Sequence, residues 1–185
     1  MMRAYLGLIP ILLLFVPACA DHSQPAVTLN IQTQKLTSGE YKSGDGHYSV
    51  RFPKNPVISH RELATSAGVL NVETAKCESG RDPVYSVSFT IYPSNFGDVD
   101  AKTILDGVRD GLKGQDGELR VDQPVALDDS QSVARDVRIT AGKNTIRARL
   151  VMVDRRLIQV LAVGTKDSMD GKEVDAYFKS FEVEK

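Results

Sequence analysis

The 185-residue chain contains no tryptophan, and aromatic residues make up only 6% of it, so it lacks the platform on which bases or sugar rings stack. Its net charge is −1, where a general nucleic-acid binder needs a basic surface to displace counterions; no nucleic-acid partner is expected. Three histidines leave few general bases, and no G-x-S-x-G elbow is present for serine chemistry. Two cysteines are too few for a disulfide framework. Beyond residue 16 no apolar run approaches the length of a membrane span. What remains is ordinary for one globular domain: 42% apolar residues and 25% charged.

The apolar run that does exist lies at the start. Met1-Met2-Arg3 is a positive n-region, and Ala4 to Val16 is too short to cross a bilayer. Val16-Pro17-Ala18-Cys19 resembles a bacterial lipobox, in which the cysteine is acylated and becomes the mature N-terminus, although Pro17 departs from the usual pattern. The rival reading is an A-x-A site, Ala18-Cys19-Ala20, cut before Asp21 to leave a soluble periplasmic or secreted protein. Residues 1–18 are therefore expected to be a signal peptide, with Cys19 the lipidation site and the membrane a partner through it. Residues 19–45, rich in Ser, Thr, Gln and Gly, read as a polar tether. Within it Val27, Leu29 and Ile31 alternate, so a short strand pairing onto the domain is the alternative.

Residues 46–185 carry regular patterns. Tyr48, Val50 and Phe52 alternate in a first strand that Pro53 ends. Strands are expected over Val57–Leu63, Val69–Glu78 and Val84–Tyr92. The period then changes: Asp100 caps a helix running to about Lys113, with Ala101, Ile104, Leu105, Val108 and Leu112 on one face. A strand over Glu118–Leu127 contains Pro124, which suits an edge or bulged position. Three strands follow as a meander, Ser132–Thr140, Thr145–Val153 and Arg156–Gly164, and a last helix runs from Ser168 or Asp170 through Phe181. Runs of strands separated by helices indicate an α+β fold, an antiparallel sheet with helices packed on it.

Few residues stand out as chemistry. The glycines from Gly111 to Gly117 follow a helix, whereas a phosphate loop precedes one, so they read as a C-cap. His47, His60 and Cys77 lie on separate strands without ligand spacing, and no metal or cofactor is expected. Asp128-Asp129 fits a turn. Arg147 and Arg149, with Arg138 on the neighbouring strand, form a candidate basic stripe for a carboxylate or phosphate; ion pairs with acids such as Asp136 are the plain alternative. Tyr92 and Phe96 make a small aromatic loop, either a binding lip or a cover for the sheet's end.

Gly46-x-Tyr48-Ser49-Val50-x-Phe52-Pro53 resembles the opening of PsbP-like domains. The Tyr85-x-Val87-x-Phe89 strand ending in Tyr92-Pro93, the Ala134-Arg135-Asp136-Val137 strand, Arg147-x-Arg149 and Phe178-x-x-Phe181 occur in similar order. The superfamily includes photosystem II extrinsic subunits, a Ran-binding import factor and bacterial lipoproteins of the DcrB and LpqN types. The resemblance implies an α-β-α sandwich and binding of proteins or lipids rather than catalysis. Two functions are carried forward. One is a non-catalytic, lipid-anchored binding or scaffold domain of the bacterial envelope. The other is a carrier or sensor of a small amphiphile held near Phe89, Ile91 and the first helix.

Overall fold

The computed structural model describes residues 29–32, 39–65, 68–78, 83–94, 99–127 and 132–184. The signal segment, Cys19, Phe96 and Asp128-Asp129 lie outside them. Eight strands make the main sheet: β1 (Leu29–Gln32), β4 (Val57–Thr65), β5 (Gly68–Glu78), β6 (Val84–Ile91), β7 (Glu118–Val125), β8 (Val133–Ala141), β9 (Asn144–Val153) and β10 (Arg156–Thr165). They lie in the order β1-β4-β5-β6-β10-β9-β8-β7, and every pairing is antiparallel. A second, three-stranded sheet joins β2 (Glu40–Ser43), β3 (Tyr48–Arg51) and β11 (Glu182–Val183) in the order β11-β3-β2.

The meander forms where its alternation and turns require. The β8–β9 hairpin turns through Gly142-Lys143, with Gly142 at φ 59°. The β9–β10 hairpin turns through Asp154-Arg155, with Asp154 at φ 51°, and Asp is one of the few side chains that tolerate this left-handed conformation. β7 is an edge strand with a register shift between Leu119 and Val121, in keeping with Pro124 inside it.

Alternation gives the main sheet two cores. On one face α1 (Ala101–Lys113) covers Val137, Ile139, Ala148, Leu150, Leu157 and Leu161 with its buried Leu105 and Val108. Asp100 starts this helix by accepting a hydrogen bond from the Thr103 N–H at 3.2 Å, and Gly114 ends it at φ 62°. Arg109 and Arg135 tie it to the sheet's edge: Arg135 reaches Asp106 at 2.5 Å, and Arg109 reaches Asp122 of β7 at 2.8 Å.

On the other face the small sheet, α2 (Lys166–Met169) and α3 (Lys172–Lys179) cover Ala75, Cys77, Tyr85, Val87, Phe89, Ile158, Val160 and Ala162. Tyr48, Phe52, Tyr85, Tyr177, Phe178 and Phe181 pack there ring against ring, mostly tilted or edge-on. Helices thus lie on both faces of an antiparallel sheet, the α+β sandwich expected.

Two expectations are corrected. The tether drawn to residue 45 contains structure. Leu29–Gln32 pairs with β4 as an outer strand, the alternative its alternation offered, and Glu40–Ser43, which had no such signal, pairs with β3 and buries Tyr41 to 2% exposure. The single last helix is two, because Asp170-Gly171 interrupts it before Lys172. Gly171, at ψ 149°, is extended where a helix would have to continue.

Candidate functional site

Each predicted site residue has a definite place, except Cys19 and Phe96, which lie outside the described residues. Arg138, Arg147 and Arg149 share the face that carries α2 and α3, and each is engaged. Arg149 holds Asp136 through Nε to Oδ1 at 2.8 Å and Nη2 to Oδ2 at 2.9 Å. Arg147 reaches Asp175 at 2.7 Å and lies over the Phe178 ring, 4.9 Å from its centre. Arg138 pairs with Asp170 at 3.2 Å. Three arginines thus meet three aspartates, and the local charge cancels. A small groove of about 170 Å³ remains between Arg138, Arg147, Phe178 and Val121. Tyr92 is 5% exposed and packs in the core under α1, which pushes its phenol up to about 12. Its N–H donates to the Arg155 carbonyl at 2.8 Å, and the Arg155 guanidinium donates to the Tyr92 carbonyl at 2.8 Å, which holds it as a cover over the sheet's end.

The arrangement that the sequence reading missed lies at the other end of the same face. β4 and β5 run past the edge of the small sheet, and the uncovered length forms a groove of about 440 Å³. Its lining includes Phe89 and Ile91 from β6, Val69, Asn71 and Glu73 from β5, His60 and Glu62 from β4, and Asp45 from the turn after β2. A smaller recess of about 170 Å³ beside β2 shares His60 and Glu73 with it. Val69 and Ile91, 59% and 44% exposed, line it side by side with Phe89.

Glu73 is the centre of the polar end. Register places it opposite His60 on β4 and Phe89 on β6. Its Oε1 accepts hydrogen bonds from the Tyr41 hydroxyl and from Ser43 Oγ, the latter at 3.0 Å. Its Oε2 lies 3.8 Å from His60 Nδ1, within ion-pair reach but beyond a hydrogen bond. Burial and the neighbouring Glu73 carboxylate raise the Tyr41 phenol, which therefore stays protonated and donating. Ser43 also accepts from the Gly46 N–H at 3.0 Å, closing the β2–β3 turn. Behind them the Tyr48 hydroxyl is buried beside Tyr41 and Ser43, and burial pushes it well above its ordinary value.

The order of contacts does not suit nucleophilic catalysis. That chemistry needs a hydroxyl on an imidazole and the imidazole on a carboxylate. Here both hydroxyls donate to the carboxylate directly, and the imidazole stands apart. Cys77 points to the same face but lies in the core, where burial pushes its thiol up and away from reactivity. Among the described residues, no three His, Cys, Asp or Glu side chains gather as a metal would require.

The amphiphile site expected between Phe89, Ile91 and the first helix does not form as drawn. Phe89 pairs with Glu73 and Ile158 and faces the small sheet, while α1 covers the opposite face. The space under α1 is filled by Leu105, Ile139, Leu150 and Leu157, each with no exposed surface.

The fold defines this chain as an α+β sandwich on an antiparallel sheet. Its structure is similar to the solution structure of cyanobacterial PsbP (CyanoP) from Synechocystis sp. PCC 6803, with a TM-score of 0.49 and 17% identity, over 90% of this chain and 97% of that one. The likeness concerns the fold and carries no ligand or partner across. No family model and no curated protein matches the chain. No helix among the described residues is long and apolar enough to cross a membrane.

Proposed function

We propose that this chain is a non-catalytic binding domain, exported in a bacterium and held at the outer side of a membrane by an acylated Cys19. The observation that carries the binding reading is the groove over Phe89, Ile91 and Val69 with Glu73 at one end. It leaves large apolar side chains uncovered on a sheet whose other well-packed positions are closed by helices or the small sheet. The anchoring reading is supported by the Met1–Cys19 pattern alone. A partner in the envelope or a small amphiphile reaches the groove; the ion-paired arginines are less available, since binding there must first break existing pairs.

Two measurements test the two halves. Replacing Cys19 by Ser is expected to move the protein from the membrane fraction to the soluble one. An unlipidated wild-type mass together with unchanged fractionation would overturn the anchor. A photo-crosslinking residue at Val69 or Ile91 is expected to capture an envelope component in cells. The same residue at Val133, exposed on the far side of the sheet, is expected not to. Equal capture from all three positions would overturn the groove as the binding site.

A further inference from the structure

We infer that the groove selects a small cationic amphiphile, an organic ammonium with an apolar body, whose head group sits on Glu73. The inference rests on the reading of the groove as the binding site and adds the ligand's chemistry. The apolar part of the site is Phe89, Ile91 and Val69; the polar part is acidic, with Asp45, Glu62 and Glu73 lining it. His60 and Arg61 also line it, so three carboxylates stand against one guanidinium. Carboxylates therefore outnumber the cations that face the groove.

Glu73 is prepared for a cation in a way the two rim acids are not. Tyr41 and Ser43 both donate to Oε1, which fixes the carboxylate plane and leaves Oε2 facing His60 Nδ1 at 3.8 Å, beyond a hydrogen bond. An ammonium needs an acceptor of this kind and brings three donors. The side chain of Glu73 is only 17% exposed, so a charge-assisted bond there is screened less than at the surface. The buried Tyr48 hydroxyl, beside Tyr41 and Ser43, lies at the back of this cluster. An anionic amphiphile would set its head against three carboxylates. The volume, about 440 Å³, lies in the range of small-molecule sites rather than of protein interfaces.

The test uses the full chain carrying Cys19→Ser, with octylammonium, octanoate and octanol as probes in an NMR titration. Octylammonium is expected to shift the amide signals of Val69, Asn71, Glu73 and Ile91 saturably, and octanoate is expected not to. Glu73→Gln keeps the acceptor for Tyr41 and is expected to weaken octylammonium about tenfold or more. Should that variant fail to fold, the exposed pair Asp45→Asn and Glu62→Gln decides, with an expected fall of about two- to threefold. Octanol or octanoate binding the groove as tightly as octylammonium would overturn the charge selection and leave the groove standing as a binding site. No shift at these residues with any probe would overturn both.

Discussion

Asp136 and Arg149 face each other across β8 and β9 and are joined by two parallel hydrogen bonds, at 2.8 and 2.9 Å. The guanidinium also donates to the Phe178 carbonyl at 3.3 Å, so one side chain ties two strands to α3. This fork accounts for an arginine in mid-strand without a ligand. Arg149→Ala is expected to cost about 1–3 kcal/mol, because the half-buried Asp136 then loses both donors. A double-mutant cycle with Asp136→Ala is expected to give a coupling of about 1 kcal/mol or more. Urea denaturation of the four proteins checks it. Near-zero coupling would show the pair to be incidental.

Tyr41 reaches Glu73 from 32 residues earlier in the chain, out of a stretch whose composition reads as a spacer. The folded part therefore starts before Gly46. A chain begun at Gly39 keeps β2 and is expected to unfold cooperatively with little loss. One begun at Gly46 loses the buried Tyr41 and the partner strand of β3. It is expected to lose more than about 3 kcal/mol, the usual cost of deleting a large buried aromatic. Thermal melts of the two truncations against the full chain measure the difference; equal midpoints would return β2 to the tether.

The physical reason for that miss is specific. In Glu40–Ser43 the two inward residues are a tyrosine and a serine, flanked by Glu and Lys, so the strand carries almost no hydrophobic signal. The meander and α1 were legible to within a residue because α1 and β8 keep their apolar positions at one period and short polar turns bound β9 and β10, which are apolar on both faces. β5 does not stay on one face. Leu70 and Val72 are buried at its start, whereas Ala75 and Cys77 point the other way at its end. Glu73 sits at that change of phase. A charged residue where a strand changes its buried side was the signal available for the candidate site. The contacts from Tyr41 and Ser43 depend on the second sheet, which no local pattern specifies.

Acid sensitivity is expected to centre on Arg–Asp pairs on the two faces of the sheet, Arg135–Asp106 under α1 and Arg147–Asp175 under α3. Hydrogen bonding from Arg135 holds the Asp106 carboxyl below its ordinary value of 3.8, and Arg147 does the same for Asp175. A folded-state value below the unfolded one means stability that is present above the unfolded value and lost as pH falls through the folded value. The loss is therefore expected to begin near pH 4 and continue below it. Asp106→Asn and Asp175→Asn are expected to flatten the acid limb of a stability-versus-pH curve while leaving its neutral plateau only slightly lower. Denaturation midpoints between pH 2 and pH 7 measure this, and an unchanged acid slope in both variants would sink the assignment.

Gly39 and Gly46 flank β2, and each is there for a contact that a side chain would destroy. A Cβ on Gly46 would lie 2.6 Å from Tyr48 Cδ1 and 2.7 Å from Ser43 Oγ, so the glycine lets the Tyr48 ring lie against the turn. Gly39 has φ 69°, and a Cβ there would be driven into the backbone carbonyl of Phe52. The Phe52 N–H donates back to the Gly39 carbonyl at 2.8 Å, so the two backbones cannot simply move apart. Gly39→Ala is expected to destabilise more than Gly46→Ala, because a ring and a hydroxyl can shift where a paired backbone cannot. Both are expected to exceed about 1 kcal/mol. Should Gly46→Ala fold, its turn is expected to loosen around Ser43, and the affinity of the Glu73 groove for octylammonium is expected to fall with it. A Gly46→Ala protein as stable as wild type, with groove binding intact, would show that the turn and the site are independent.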